Sequence, residues 1–201
     1  GLHAHTGSGV HDARVWAEQL RRMLEIIPMF PSVKVLDLGG GLGVPDRAGQ
    51  PSLDVGLLDQ LLGEFKASLP LDLWLEPGRY LVAQSGVLLA KATQLKSKGQ
   101  YHYLGLETGM NSLIRPALYG AYHDIVNLSR LDQPAMQRYS VVGPICESGD
   151  ILGESRFLPE SAEGDIILIA NAGAYGRVMS SHYNRREPAP ELIFEEFVEA
   201  G

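Results

Sequence analysis

Two glycine-rich turns, each closing a strand-like run and opening a helix-like one, constrain this chain more than any other feature. The first is Thr6-Gly7-Ser8-Gly9 and the second is Gly39-Gly40-Gly41 with Gly43. Gly1 to His5 alternates as a short strand into the first turn. Beyond it, Asp12 is a candidate N-cap, with Trp16, Leu20, Leu24 and Ile27 at helical spacing. Val33 to Leu38 is a buried-strand run that ends in the second turn. Asp54 then caps a helix carried by Leu57, Leu58, Leu61, Leu62 and Phe65, and Leu73 to Glu76 is a third strand stopped by Pro77-Gly78. The order β-α-β-α-β predicts parallel strands joined by right-handed crossovers.

Beyond Val82 the pattern changes. Val87–Lys96, Tyr101–Glu107, Tyr139–Ile145 and Asp165–Ala170 read as strands, with Lys98-Gly99 as a hairpin signal. Two domains follow, 1–82 of α/β type and 83–201 of mainly antiparallel β type.

Parallel strands place their C-terminal ends on one rim, where α/β sheets and barrels bind ligands. His5 with Gly7-Ser8-Gly9, Gly39-Gly40-Gly41, and Glu76-Pro77-Gly78-Arg79 therefore share that rim. Glycine turns opening helices offer backbone N–H groups to phosphate, so the rim predicts a phosphate-bearing ligand.

Composition removes other classes. A formal net charge of −7 leaves no basic footprint for nucleic acid. Cys146, the one cysteine, cannot form an internal disulfide, and no apolar run reaches the roughly 18 residues of a membrane span. A cytoplasmic protein is expected. The chain opens at Gly1 without an initiator Met, which suggests a piece of something longer.

Six blocks carry a resemblance: HTGSG at 5–9, LDLGGGLG at 36–43, EPGRYLV at 76–82, GMNSLIRPALYGAYH at 109–123, CESGD at 146–150 and GAYGRVMSSHYN at 173–184. In this order they resemble the diaminopimelate decarboxylases, a branch of the fold-type III, alanine-racemase-like enzymes that use pyridoxal 5′-phosphate (PLP). The wording is similar to the bacterial form fused to an aspartate kinase. The resemblance implies the C-terminal part of a PLP-binding (β/α)8 barrel, followed by a mainly antiparallel β domain. It also implies a homodimer whose active site is shared across subunits, acting on a small amino-acid substrate.

Residue by residue, the resemblance implies that His5 lies against the PLP ring. Ser8, Gly39, Gly40, Gly41 and the backbone at Gly78-Arg79 hold the phosphate, with Tyr175 adding its hydroxyl. Glu76 faces the pyridine nitrogen and keeps it protonated. Arg79, Arg115 and Tyr119 bind a substrate carboxylate, for which an arginine fork suits two-point contact. Arg115 precedes Pro116, so extended or turn backbone is expected there. Cys146, supplied by the neighbouring subunit, returns a proton after CO2 departs, and Glu147 meets the distal ammonium of the substrate. Met110 and Met179 read as packing residues. The implied reaction converts meso-2,6-diaminopimelate to L-lysine, with loss of CO2 at the D-centre.

Two departures stand out. Glu107 replaces the aspartate usual in the family. The family's PLP-bearing lysine lies upstream of the HTGSG block, and the five lysines here are Lys34, Lys66, Lys91, Lys96 and Lys98, none at the C-terminal end of a predicted parallel strand. The chain by itself is therefore expected to be inactive. The alternatives are a decarboxylase-like protein for another basic amino acid, a non-catalytic relative, and a metal-dependent hydrolase. The last would use His3 and His5, which share one strand face in an H-x-H arrangement.

Overall fold

The computed structural model describes residues 1–67 and 69–194. The chain divides into two compact units, Gly1–Gly86 and Val87–Gly201.

In the first unit, β1 (Leu2–His3), β2 (Val35–Asp37) and β3 (Asp72–Trp74) form a parallel sheet in the order β1-β2-β3. The crossovers are α1 (Arg14–Ile26) and α2 (Val55–Lys66). Trp16, Leu20 and Met23 recur at helical spacing along α1, and all three are buried with Leu36, Leu38, Leu58, Leu62 and Leu71. Gln19 lies on that inner face, where its amide donates to the carbonyls of Ala4 at 2.6 Å and Leu38 at 3.0 Å. Those carbonyls sit just past the ends of β1 and β2, so one side chain ties the helix to the sheet.

Asp54 caps α2 as expected, accepting the Leu57 N–H at 2.8 Å. Asp12 does not cap α1. The cap position falls on Ala13, without a side-chain bond. Asp12 instead accepts the Arg14 N–H at 3.0 Å and the Arg14 guanidinium at 2.9 Å. The charge-assisted fork competes successfully with the cap geometry and holds the Asp12 carboxyl below its ordinary range. After β3, the short helix α3 (Gly78–Val82) and a 3-10 turn (Ala83–Ser85) complete the unit.

The second unit is a six-stranded sheet in the order β6-β9-β4-β5-β7-β8. Its strands are β4 (Leu88–Lys98), β5 (Tyr101–Leu106), β6 (Ile125–Asn127), β7 (Gln137–Val142), β8 (Ile151–Leu158) and β9 (Ile166–Ile169). The expected hairpin is present: Lys98 pairs with Tyr101 across a turn where Gly99 takes φ +61°. Two strands, β6 and β8, were not predicted. The predicted antiparallel pairing holds except between β5 and β7, which run parallel. A long connection that carries α4 (Arg115–Tyr119) separates that pair. Leu104, Leu106, Val141, Leu152, Leu158, Ile167 and Ile169 fill the core of this unit.

Among the described residues no helix is long and apolar enough to cross a membrane.

Candidate functional site

The register of the parallel sheet builds the first group of candidate residues. His3 pairs with Asp37 across β1 and β2, and Asp37 pairs with Trp74 across β2 and β3. Glu76 lies two residues past Trp74, on the same face by the period of a strand. The result is that His3 Nε2 stands 3.2 Å from Glu76 Oε2. One ligand atom from each of His3, Asp37 and Glu76 falls within 4.8 Å of the others.

The His3/His5 pair of the metal-hydrolase alternative is not brought together as a ligand cluster among the described residues. His5 turns to the glycine turn, where Nδ1 accepts the Gly40 N–H at 3.2 Å. His3 joins two carboxylates instead, because Asp37 is its register partner.

The glycines at 39–41 are there because the rim is closed around them. A Cβ on Gly40 would stand 2.2 Å from the Glu76 carbonyl oxygen, and one on Gly41 would stand 1.9 Å from that of Gly7. Gly39 and Gly41 also take positive φ, +67° and +88°. The two glycine turns are stitched together: Val10 N–H donates to Gly41 O at 2.9 Å, and Gly43 N–H to Val10 O at 2.8 Å. Gly39 N–H turns back to Asp37 at 2.9 Å. On the same rim the Arg79 guanidinium donates to Ser8 Oγ at 3.0 Å, next to Gly78 at the start of α3.

The rim is therefore bipolar. One part offers the Ser8 hydroxyl and the Arg79 guanidinium, donors that hold phosphate, beside glycine turns whose Gly39 and Gly40 N–H groups are turned to Asp37 and His5. The other offers the Asp37 and Glu76 carboxylates, the set that holds a protonated nitrogen. A ligand with phosphate at one end and a basic ring nitrogen at the other, such as PLP, fits both.

No lysine joins this rim. Lys34 precedes β2, Lys66 ends α2 and bonds to Leu71 O at 2.5 Å, and Lys91, Lys96 and Lys98 lie on β4.

The second group lies in the unit from Val87 onward. Arg115, for which extended or turn backbone is expected, occupies the first turn of the helix α4. Pro116 is tolerated there because the first-turn N–H groups have no partner within the helix. The Arg115 Nη1 lies 3.0 Å from Nε2 of His123, a fully buried residue that the sequence reading passed over. Tyr119, at the end of α4, is exposed. Cys146 is a free, exposed thiol. Its loop is fixed from below by Asp150, a buried carboxylate that accepts the N–H groups of Ile145 at 2.7 Å and Met110 at 2.6 Å. Thus Asp150, also missed, joins the segment before Arg115 to the loop of Cys146 and Glu147. The Tyr183 hydroxyl reaches Glu147 at 3.4 Å. Tyr175 is half exposed and held at φ +60°, a strained backbone for a bulky residue. Glu107 accepts the Lys91 N–H at 2.9 Å, which occupies its carboxylate at the sheet.

Residues 33–173 match the family described as pyridoxal-dependent decarboxylase, C-terminal sheet domain. Diaminopimelate decarboxylase of Archaeoglobus fulgidus is 39% identical over 96% of this chain and 48% of its own length. That of Escherichia coli K12 is 37% identical over 97% of this chain and 50% of its own length. The crystal structure of diaminopimelate decarboxylase from M. jannaschii in complex with L-lysine superposes with a TM-score of 0.82 at 32% identity, covering 94% of this chain and 45% of that one. The chain thus spans about half the length of the curated relatives it matches. The chain therefore belongs to the pyridoxal-dependent decarboxylases, matching their C-terminal sheet domain over residues 33–173.

Proposed function

We propose that this chain supplies the phosphate cradle and the substrate-side loops of a PLP-dependent diaminopimelate decarboxylase that forms L-lysine. In this reading residues 1–82 are the closing β/α units of a barrel, and 83–201 are the β domain that brings substrate and dimer-partner loops. The observation that carries it is the bipolar rim: Ser8, Arg79 and the glycine turns on one side, Asp37 and Glu76 on the other.

PLP, when bound, supplies a protonated pyridine ring that takes up the electron pair left as CO2 departs. The chain's own residues do the rest. The Ser8 hydroxyl and the Arg79 guanidinium would hold the phosphate beside the glycine turns. The close approaches at Gly40 and Gly41 keep these turns free of side chains. Glu76 holds the proton on the ring nitrogen, a charge-assisted contact worth roughly 1.5–3 kcal/mol. His3, hydrogen-bonded to Glu76, orients that carboxylate. His5, oriented by the Gly40 N–H, packs against the ring face and keeps water from it.

Arg115 and Tyr119, at the two ends of α4, bind the substrate carboxylate that is retained. Glu147 receives the distal ammonium, and the Tyr183 hydroxyl at 3.4 Å steadies it. The partner subunit's Cys146 delivers a proton to the carbon that lost CO2; its exposure on this chain suits a group working across a dimer interface. The lysine that anchors PLP lies outside this chain, so the 201 residues alone are inactive.

The reading is tested with the protein that includes the upstream barrel half. Loaded with PLP, it is offered meso-diaminopimelate, L-lysine, L-ornithine and L-arginine, and CO2 release is followed. Release from diaminopimelate at least about a hundredfold faster than from the others supports the reading; the others lack the distal carboxylate and so leave Arg115 unpaired. Preference for ornithine or arginine would establish the runner-up, a decarboxylase for another basic amino acid.

A further inference from the structure

We infer that His123 is a positioning residue: a neutral imidazole, protonated at Nδ1, whose Nε2 accepts from the Arg115 guanidinium and aims it at the substrate. The inference rests on the reading of Arg115 as a carboxylate-binding group.

Hydrogen-bond roles fix the tautomer of His123. His123 is fully buried, with Nδ1 2.8 Å from the carbonyl oxygen of Ala170 and Nε2 3.0 Å from Arg115 Nη1. A carbonyl oxygen only accepts, so Nδ1 carries the proton. A guanidinium only donates, so Nε2 presents its lone pair. Both contacts select the same neutral tautomer. The other neutral form would set a lone pair against the carbonyl and an N–H against the guanidinium. The doubly protonated form would bury two cations in contact.

The chain path shows how the contact is built. Gly120 ends α4 at φ +61°, with its N–H on Pro116 O at 3.0 Å and the Ala121 N–H on Arg115 O at 3.3 Å. This left-handed cap reverses the chain, so that His123 returns beneath the first turn of the helix it has just left. The anchor on its other side is also fixed: Ala170 follows β9, and its N–H donates to Asp124 O at 2.9 Å. Immediately beyond Ala170 come Asn171 at φ +56° and Tyr175 at φ +60°. One imidazole therefore joins the arginine to the root of the segment that carries Tyr175. A guanidinium on a flexible stem samples many rotamers, and a buried acceptor at Nη1 limits them in advance.

Three substitutions in the full-length holoenzyme separate positioning from bulk packing. His123→Gln keeps an acceptor near the Nε2 position, His123→Asn keeps only a donor toward Ala170, and His123→Leu keeps neither. Leu and Asn should raise KM for diaminopimelate about tenfold, with kcat changed less, while Gln stays within about threefold of wild type. Equal effects of Gln and Asn, or an unmoved KM in a folded Leu variant, would overturn the inference. Nitrogen-15 shifts of the His123 ring in the unsubstituted 201-residue chain give a second measurement that needs neither activity nor a His123 variant. They should show protonated Nδ1 and bare Nε2, with Nε2 shifting on Arg115→Ala. A proton on Nε2, or no response to Arg115→Ala, refutes the assignment even if all His123 variants misfold. If the full-length protein fails to decarboxylate diaminopimelate, the functional reading falls and the ring shifts still decide the role of His123.

Discussion

Gly40→Ala isolates the close approach on which the phosphate cradle depends. Gly41 combines a positive φ with a short contact, but Gly40 has the contact alone. The new Cβ would stand 2.2 Å from the Glu76 carbonyl oxygen, where ordinary contact begins at 3.4 Å. About 1.2 Å must be found by moving backbone, since neither side of the contact is a flexible side chain. Glu76 cannot retreat freely. Its carbonyl accepts the Gly78 N–H at 2.9 Å, and its N–H donates to Gly39 O at 2.8 Å. Overpacking of this kind costs about 1–3 kcal/mol, and loss of one of those bonds adds about 1 kcal/mol. At roughly 2–4 °C per kcal/mol for a chain of this size, the melting temperature should fall by about 4–16 °C. Because the same shift carries Gly78 and Arg79 away from the cradle, PLP affinity of the full-length protein should drop on the order of a hundredfold. Thermal unfolding by circular dichroism and PLP titration by fluorescence quenching read the two effects. Gly63→Ala is the control: it lies in α2 with nothing within 4 Å of the added Cβ. It should stabilise by about 0.5–1 kcal/mol. A Gly40→Ala protein with wild-type melting and wild-type PLP affinity would refute the closed cradle.

Two further predictions concern the β unit. Burial acts to raise the Asp165 carboxyl, but the Arg130 guanidinium, the Asn127 amide and the Ala162 N–H outweigh it and hold the group below its ordinary range. The folded-state value is depressed, so the stabilisation is present above the unfolded value of about 3.9 and is lost as pH falls through the folded value. Stability measured by urea unfolding should drop below about pH 4, and Asp165→Asn should flatten that acid limb. In the full-length enzyme, Cys146→Ala should lower kcat by about 10²–10⁴ with little change in KM, as expected of a lost proton donor; an unchanged kcat assigns proton delivery elsewhere.

The parallel half of the fold was legible because its punctuation is chemical. Glycines that must approach backbone closely, and a Pro-Gly stop, mark each strand end in the sequence. The β half was less so. β6 is three residues long, too short for a period to show. β8 holds Gly153 and Ser155, the latter at φ +52°, and its pairing with β7 shifts register, which blurs the alternation. Nothing local reports that β5 and β7 run parallel, since that depends on the long connection between them.

Site residues divided in the same way. His5, Glu76 and Arg79 announce themselves beside turns. Asp37 and His3 become neighbours only through register, and Asp150 and His123 each tie a nearby residue to one 40 and 47 residues away in the chain. The pre-proline rule misplaced Arg115 because Pro116 falls in a helix's first turn, where a missing N–H costs nothing.

The most direct test of the account uses meso-diaminopimelate labelled with carbon-13 in one carboxyl at a time. It is turned over by the full-length protein and read by mass spectrometry of the released CO2 and the lysine formed. The account predicts labelled CO2 only from the D-centre carboxyl, with the L-centre label retained in L-lysine. Label released from the L-centre, or no lysine at all from a PLP-loaded protein, would contradict it.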